Sequence, residues 1–250
     1  NDPMSDATIF FDGNLDAKPG LSEPTTHSSP SSTYMFSIEN DIFDKNDNNK
    51  IDFSEGRLIA YGGKDFKTHI HQKVPFVASF GENINPITTL IRLAAESGFN
   101  AKKATSDVLN LFDLEDQSYQ HTDPVQYLTP LNASSPNHTT NKAKEYIAHI
   151  KIHFLYDSLS GLIHKLLPDR YSDNLPGQIK ILTDISNHVL SNIGEHHSTN
   201  EILLSAYNDN IFEVEGGQAN KLYDKAYELV YYKKFDKSIK LLEKMAKRKD

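Results

Sequence analysis

Two stretches near the start of this chain place oxygen-bearing side chains at alternate positions. The first carries Asp12, Asn14 and Asp16 and closes on Glu23; the second carries Asp44, Asn46, Asn48 and Asp52 and closes on Glu55. Each spans twelve residues from its leading Asp to its closing Glu. A hard divalent cation of calcium's size takes roughly six to eight oxygens, and such a loop supplies them from alternate side chains, one backbone carbonyl and a bidentate glutamate at its end. In the second loop the carbonyl is that of Lys50, and every side-chain place holds an oxygen. Ile51 fills the eighth place as an apolar anchor. Asn49 fills the sixth, where the chain must turn left-handed; after glycine, asparagine tolerates that best.

The first loop offers the carbonyl of Lys18 beside Asp12, Asn14, Asp16 and Glu23. Gly20 stands at the ninth place, so a water has to fill that position. Ala17 stands at the sixth and is expected to resist the left-handed conformation. Pro19 stands at the eighth, where paired helix-loop-helix sites donate a backbone N–H to one another, and proline has none to give. The two loops are therefore expected not to pair in that way. Apolar residues precede the first loop and Pro24 follows it, so these read as calcium loops set among strands.

Other chemistry finds little support. The formal net charge of −8 over 250 residues argues against nucleic acid as a partner. The absence of cysteine excludes thiolate catalysis and disulfide staples. No apolar run approaches the ~20 residues that span a bilayer. No signal peptide is visible, and the opening Asn1-Asp2-Pro3-Met4 is compatible with an internal fragment of a longer protein. There is no Gly-x-Ser-x-Gly, no phosphate loop and no dinucleotide fingerprint, so the chain is not expected to be an enzyme. His149 and His153 stand four apart on an expected helix, a spacing that can hold zinc. No third ligand accompanies them, and they read as a polar-edge pair. His69 with His71, and His196 with His197, read as exposed loop histidines.

Phe10-Phe11-Asp12-x-Asn14, with Glu23-Pro24-Thr25-Thr26, resembles the opening of modules in large secreted bacterial surface proteins and adhesins. Phe43-Asp44-x-Asn46-x-Asn48-x-Lys50-Ile51-Asp52 with Glu55-Gly56-Arg57-Leu58-Ile59-Ala60, then Gly62-Gly63, is similar to their middle. Asn85-Pro86-Ile87-Thr88-Thr89-Leu90 is close to a Pro-Leu-Thr-Thr-Leu stretch of the same modules. The resemblance covers about residues 8–125. It implies a calcium-stabilised extracellular or cell-surface module. It departs where loop one lacks a sixth-place Gly and a ninth-place Asp, and where Phe66 to Val77 lacks a run of small residues.

The elements expected to position the loops are a strand over 7–11, a turn-filled connection over 24–33 and a strand over 34–38. Arg57 to Ala60 reads as one helical turn stopped by Gly62-Gly63. A strand over 74–80 and helices over about 86–96 and 101–111 follow. Residues 116–140 carry Pro124, Pro130 and Pro136 and read as a linker, with sequons at Asn132 and Asn137. Helices are expected over 141–167, with Ile147, Ile150, Phe154, Leu155, Leu159, Leu162, Ile163 and Leu166 as its apolar set. Others are expected over 176–193, 199–212, 218–232 and 235–248, the last two resembling a tetratricopeptide hairpin. The fold class is α+β: a small N-terminal β-rich part with calcium loops over 1–125, a linker over 126–140 and a mainly α-helical bundle over 141–250. The function expected is that of a calcium-binding structural or adhesive module. The alternative is an interaction module whose helices meet a protein or surface partner while calcium only braces the N-terminal part.

Overall fold

The computed structural model describes residues 4–31, 33–35, 37–65, 69–114, 120, 136–166 and 171–193. The expected helices after residue 198, the tetratricopeptide-like hairpin, His196 with His197 and most of the 116–135 linker lie outside the described residues.

Strand β1 (Met4–Asp12) is the apolar run Ile9-Phe10-Phe11 with its flanks, and it ends on the first residue of loop one. It pairs antiparallel on one side with β2 (Thr25–His27) and on the other with β3 (Arg57–Asp65), which pairs in turn with β4 (Phe76–Ala78). The sheet order is β2-β1-β3-β4. Phe10 stands opposite Ile59, Phe11 opposite Leu58 and Asp12 opposite Arg57. Loop one leaves the end of β1 and loop two feeds the start of β3. Antiparallel pairing therefore brings both loops to the same end of the sheet.

Two expectations are corrected here. Residues 57–60 are strand, not a helical turn: Leu58-Ile59-Ala60 is too short a run to carry a period, and partners on both sides decide it. The second strand is Thr25–His27 rather than 34–38. The β-branched Thr25 and Thr26 reach the free edge of β1, while Tyr34 and Ile38 pack without regular structure on a small cluster of Phe11, Phe43 and Leu58.

A four-residue helix, α1 (Asn40–Phe43), leads into loop two. Helix α2 (Pro86–Glu96) opens as its sequence requires. Asn85 Oδ1 accepts from the Thr88 N–H at 2.9 Å, Thr88 Oγ1 accepts from the Asn85 N–H at 3.0 Å, and Pro86 fills the first helical place where no N–H is needed. Helix α3 (Ala101–Leu111) follows behind Gly98. Helix α4 runs Pro136–Leu166, beginning inside the expected linker, and α5 runs Leu175–Ser191.

α2 packs against β4, α3, α4 and α5. One cluster of buried residues takes in Phe10 and Ile59 of the sheet, Ile87 and Leu90 of α2, and Ile152, Leu155 and Ile185 of α4 and α5. The core thus continues from the sheet across the 126–140 segment. Helix α4 also departs from its expected pattern: Leu155, Leu159 and Ile163 are buried with Ala148, Ile152 and Tyr156, but Ile147, Ile150 and Phe154 are exposed. The helix is apolar around much of its circumference, and only one stripe faces the core. No helix among the described residues is long and apolar enough to cross a membrane.

Candidate metal centre

The two loops fold to the same internal pattern. In loop one the Asp12 carboxylate accepts the N–H of Asp16 on Oδ1 and of Ala17 on Oδ2, each at 3.0 Å. In loop two Asp44 accepts from Asn48 on Oδ1 at 3.1 Å and from Asn49 on Oδ2 at 2.6 Å. The third-place Asn14 and Asn46 each accept from the fifth-place N–H, at 3.0 and 3.1 Å. The fifth-place Asp16 and Asn48 each accept from the N–H of the seventh-place lysine, Lys18 at 2.8 Å and Lys50 at 2.9 Å. Fourth and sixth places are left-handed in both: Leu15 and Ala17 at φ 61° and 58°, Asp47 and Asn49 at φ 57° and 63°.

Ala17 therefore adopts the conformation its type resists. Its methyl is buried at 2 % exposure within the main cluster, and that burial offsets part of the backbone cost.

Each closing glutamate is held by both oxygens. Glu23 accepts from Gly13 N–H at 2.9 Å and Gly20 N–H at 2.8 Å; Glu55 accepts from Asn46 N–H at 3.0 Å and Asp52 N–H at 2.7 Å. Both carboxylates are buried. A carboxylate oxygen that accepts one N–H keeps a second lone pair, so these oxygens are oriented and still have capacity for a cation.

The loops differ at the ninth place. In loop two the Asp52 carboxylate receives the amide N–H groups of Asn46 at 2.7 Å and Asn48 at 2.8 Å, so the third, fifth and ninth side chains converge. Those hydrogen bonds, from Asn46 first and Asn48 second, hold the Asp52 carboxyl below its ordinary pKa. Gly20 gives loop one no such partner, and Asn14 and Asp16 are exposed.

Among the described residues no three His, Cys, Asp or Glu side chains are grouped as a metal-holding set. The donors of loop two are instead a mixture of Asp, Asn, Glu and backbone oxygens. An all-oxygen set with a doubly oriented glutamate fits calcium by the hardness and number of its donors. A lysine side chain has no acceptor, so Lys18 and Lys50 could join such a set only through their carbonyls.

Contact between the loops runs through their entrances. The rings of Phe11 and Phe43, each directly before a leading Asp, meet edge to face with centroids 4.8 Å apart, and Lys45 Nζ donates to the Gly13 carbonyl at 3.2 Å. Pro19 is exposed.

Sequence reasoning missed a buried ionic chain behind the loops. Arg57 Nε donates to Asp12 Oδ2 at 2.8 Å and Arg57 also pairs with Glu96; Arg92 Nε donates to Glu96 at 2.6 Å. Its visible signs were Arg57 directly after Glu55-Gly56 and the i,i+4 spacing of Arg92 and Glu96 on the expected helix; the link between Arg57 and Glu96 had no local sign.

The two histidines of α4 are placed differently from their expected reading. His149 is buried, and half-buried His153 has Nε2 3.1 Å from Gln72 Nε2 and its ring against Phe76. His69 and His71 are exposed, as expected.

No family model matches this chain, and neither does any curated protein or solved structure.

Proposed function

We propose that this chain is a calcium-binding structural and adhesive module of a secreted or cell-surface protein, without catalytic activity of its own. Calcium sits in loop two, on Asp44, Asn46, Asn48, Asp52, Glu55 and the Lys50 carbonyl, and in loop one, on Asp12, Asn14, Asp16, Glu23 and the Lys18 carbonyl. One observation carries the reading. Two loops with different sequences and different flanks share the same side-chain to backbone hydrogen bonds and the same pair of left-handed residues. A polar surface turn has no reason to repeat that arrangement. The resemblance of residues 8–125 to modules of secreted bacterial surface proteins points the same way.

In this reading metal binding is folding free energy, because the carboxylates of each loop repel one another until a cation joins them. At the ~10⁻³ M calcium of extracellular fluids, a site with Kd ~10⁻⁴ M is filled and adds about 1.4 kcal/mol. For a chain of this size that corresponds to about 3–6 °C in Tm per site. The test is thermal unfolding of the full chain in EDTA and in millimolar calcium, with calorimetric titration for stoichiometry. Equal melting temperatures and no heat of binding would reject the reading.

A second reading has its own observation. Ile147, Ile150 and Phe154 form an exposed apolar row on α4. In this reading the helices form a bundle that meets a protein partner, and calcium only braces the sheet end. With a second copy of the chain as that partner, sedimentation of the wild type and of Phe154→Glu tests it. A concentration-dependent dimer lost in the variant supports it; a monomer at every concentration counts against it.

A further inference from the structure

We infer that Glu96, clamped between Arg57 and Arg92, is a positioning residue that couples the two loops, so that calcium in one raises the affinity of the other. This rests on the reading of both loops as calcium sites.

The chain of contacts starts in loop one. Arg57 Nε donates to Asp12 Oδ2 at 2.8 Å, and Arg57 Nη2 donates to the Leu15 carbonyl at 3.4 Å. One guanidinium thus grips the first and fourth places of that loop. Arg57 lies only two residues beyond Glu55, the closing glutamate of loop two, so the same residue is anchored to both loops. Its Nη1 pairs with Glu96 Oε2. The other oxygen of Glu96 accepts from Arg92 Nε at 2.6 Å. Arg92 Nη2 then donates to the carbonyl of Phe53, the tenth residue of loop two, at 2.8 Å, and its guanidinium lies 3.7 Å over the Phe53 ring.

The path therefore leaves loop one at Asp12 and enters loop two twice, once through the backbone at Arg57 and once through Arg92. Two carboxylates alternate with two guanidinium groups, so the charge balances. Asp12, Arg57 and Arg92 are at most 4 % exposed, and Glu96 is 16 % exposed. In such a water-poor setting charge-assisted hydrogen bonds are strong, and a chain of them orders as a unit. Fixing Asp12 on a cation fixes Arg57, and with it the backbone behind Glu55. The second loop then has less conformational freedom left to lose when its own ion arrives, which gives positive coupling. Coupling of this kind is worth about five-fold or more in affinity.

The test is calcium titration of the full chain by calorimetry, with Asp44→Ala leaving only loop one and Asp16→Ala leaving only loop two. The product of the two stepwise association constants of the wild type is expected to exceed the product of the two single-site constants at least about five-fold. In the Glu96→Gln background, which keeps the side chain's size and removes its charge, that ratio is expected to fall toward one. A merely structural Glu96 would lower the melting temperature in EDTA and leave the ratio unchanged, and that result overturns the inference. Should Glu96→Gln fail to fold, Arg92→Lys, which keeps the charge but gives up the two-pronged contact with Glu96 and Phe53, is read in the same way. Two filled but independent sites overturn the coupling and leave the calcium reading standing. No binding at either loop overturns both.

Discussion

Asp12 and Arg57 are register partners across β1 and β3, and their side chains close an ion pair of 2.8 Å in which Asp12 is fully buried. The carboxylate also takes the N–H groups of Asp16 and Ala17, so it ties the start of loop one to its fifth and sixth places. Breaking a buried pair on one side strands the other charge, at a cost of about 3–5 kcal/mol. Arg57→Met is expected to lose that much stability in EDTA, where no metal contributes. Asp12→Asn added to Arg57→Met is expected to recover part of it, because the amide oxygen can still accept an N–H and carries no charge. Urea denaturation of the two variants measures both steps. A loss below 1 kcal/mol in Arg57→Met would mean that water reaches the Asp12 carboxylate.

Gly56 lies between loop two and β3 because the Phe11 ring leaves room for nothing larger. A Cβ at Gly56 would stand 2.1 Å from Phe11 Cζ, and Phe11 is itself packed against Phe43 and Phe80. Gly56→Ala is expected to destabilise by about 1–3 kcal/mol, the usual cost of overpacking. Phe11→Leu, which shortens the ring, is expected to cost less in the Gly56→Ala background than in the wild type. Neighbours that share one space couple in this way. A double-mutant cycle by chemical denaturation checks it; strictly additive costs would show that the ring yields freely.

At Asn49, φ is 63° and the exposed side chain serves mainly to tolerate it. Asn49→Ala is expected to cost about 1 kcal/mol, because alanine meets the left-handed penalty that asparagine softens. Asn49→Gly is expected to match or exceed the wild type. If alanine and glycine behaved alike in chemical denaturation, the backbone of loop two would not be held in this turn.

Much of this was legible. The oxygens at alternate places in both loops, the strand before Asp12, and the Asn85-Pro86-x-Thr88 start of α2 are local signals, set by residues near one another in the chain. What was not legible depends on partners distant in sequence. Leu58-Ile59-Ala60 becomes strand because Phe11 and Phe10 lie opposite Leu58 and Ile59, partners 47 and 49 residues apart in the chain. Ala17 takes a left-handed turn with its methyl buried in a cluster whose members run from Phe10 to Leu190. Ile150 and Leu155 are equally apolar, yet only Leu155 faces the core, and the periodicity of α4 fits both. Arg57, Arg92 and Glu96 look like ordinary surface charges until the sheet and α2 bring them together.

His153 lies half-buried between Gln72 and Phe76, and burial lowers its pKa below the ordinary 6.5, with the charge of Asp157 opposing that shift. In the pH range below 6.5 and above the folded value, the unfolded chain binds a proton that the folded chain does not. The contribution of a neutral His153 is therefore complete above pH 6.5 and is lost as the pH falls through the folded value. His153→Gln keeps a polar group beside Gln72 and cannot titrate. Melting temperatures of the two chains in EDTA, taken from pH 7.5 to pH 5, are expected to converge as acid is added, with the wild type losing more. Chelation matters here because protons also compete with calcium for the loop carboxylates, and that effect is common to both chains. Parallel pH profiles for wild type and His153→Gln would show that the imidazole is charged or neutral to the same extent whether the chain is folded or not.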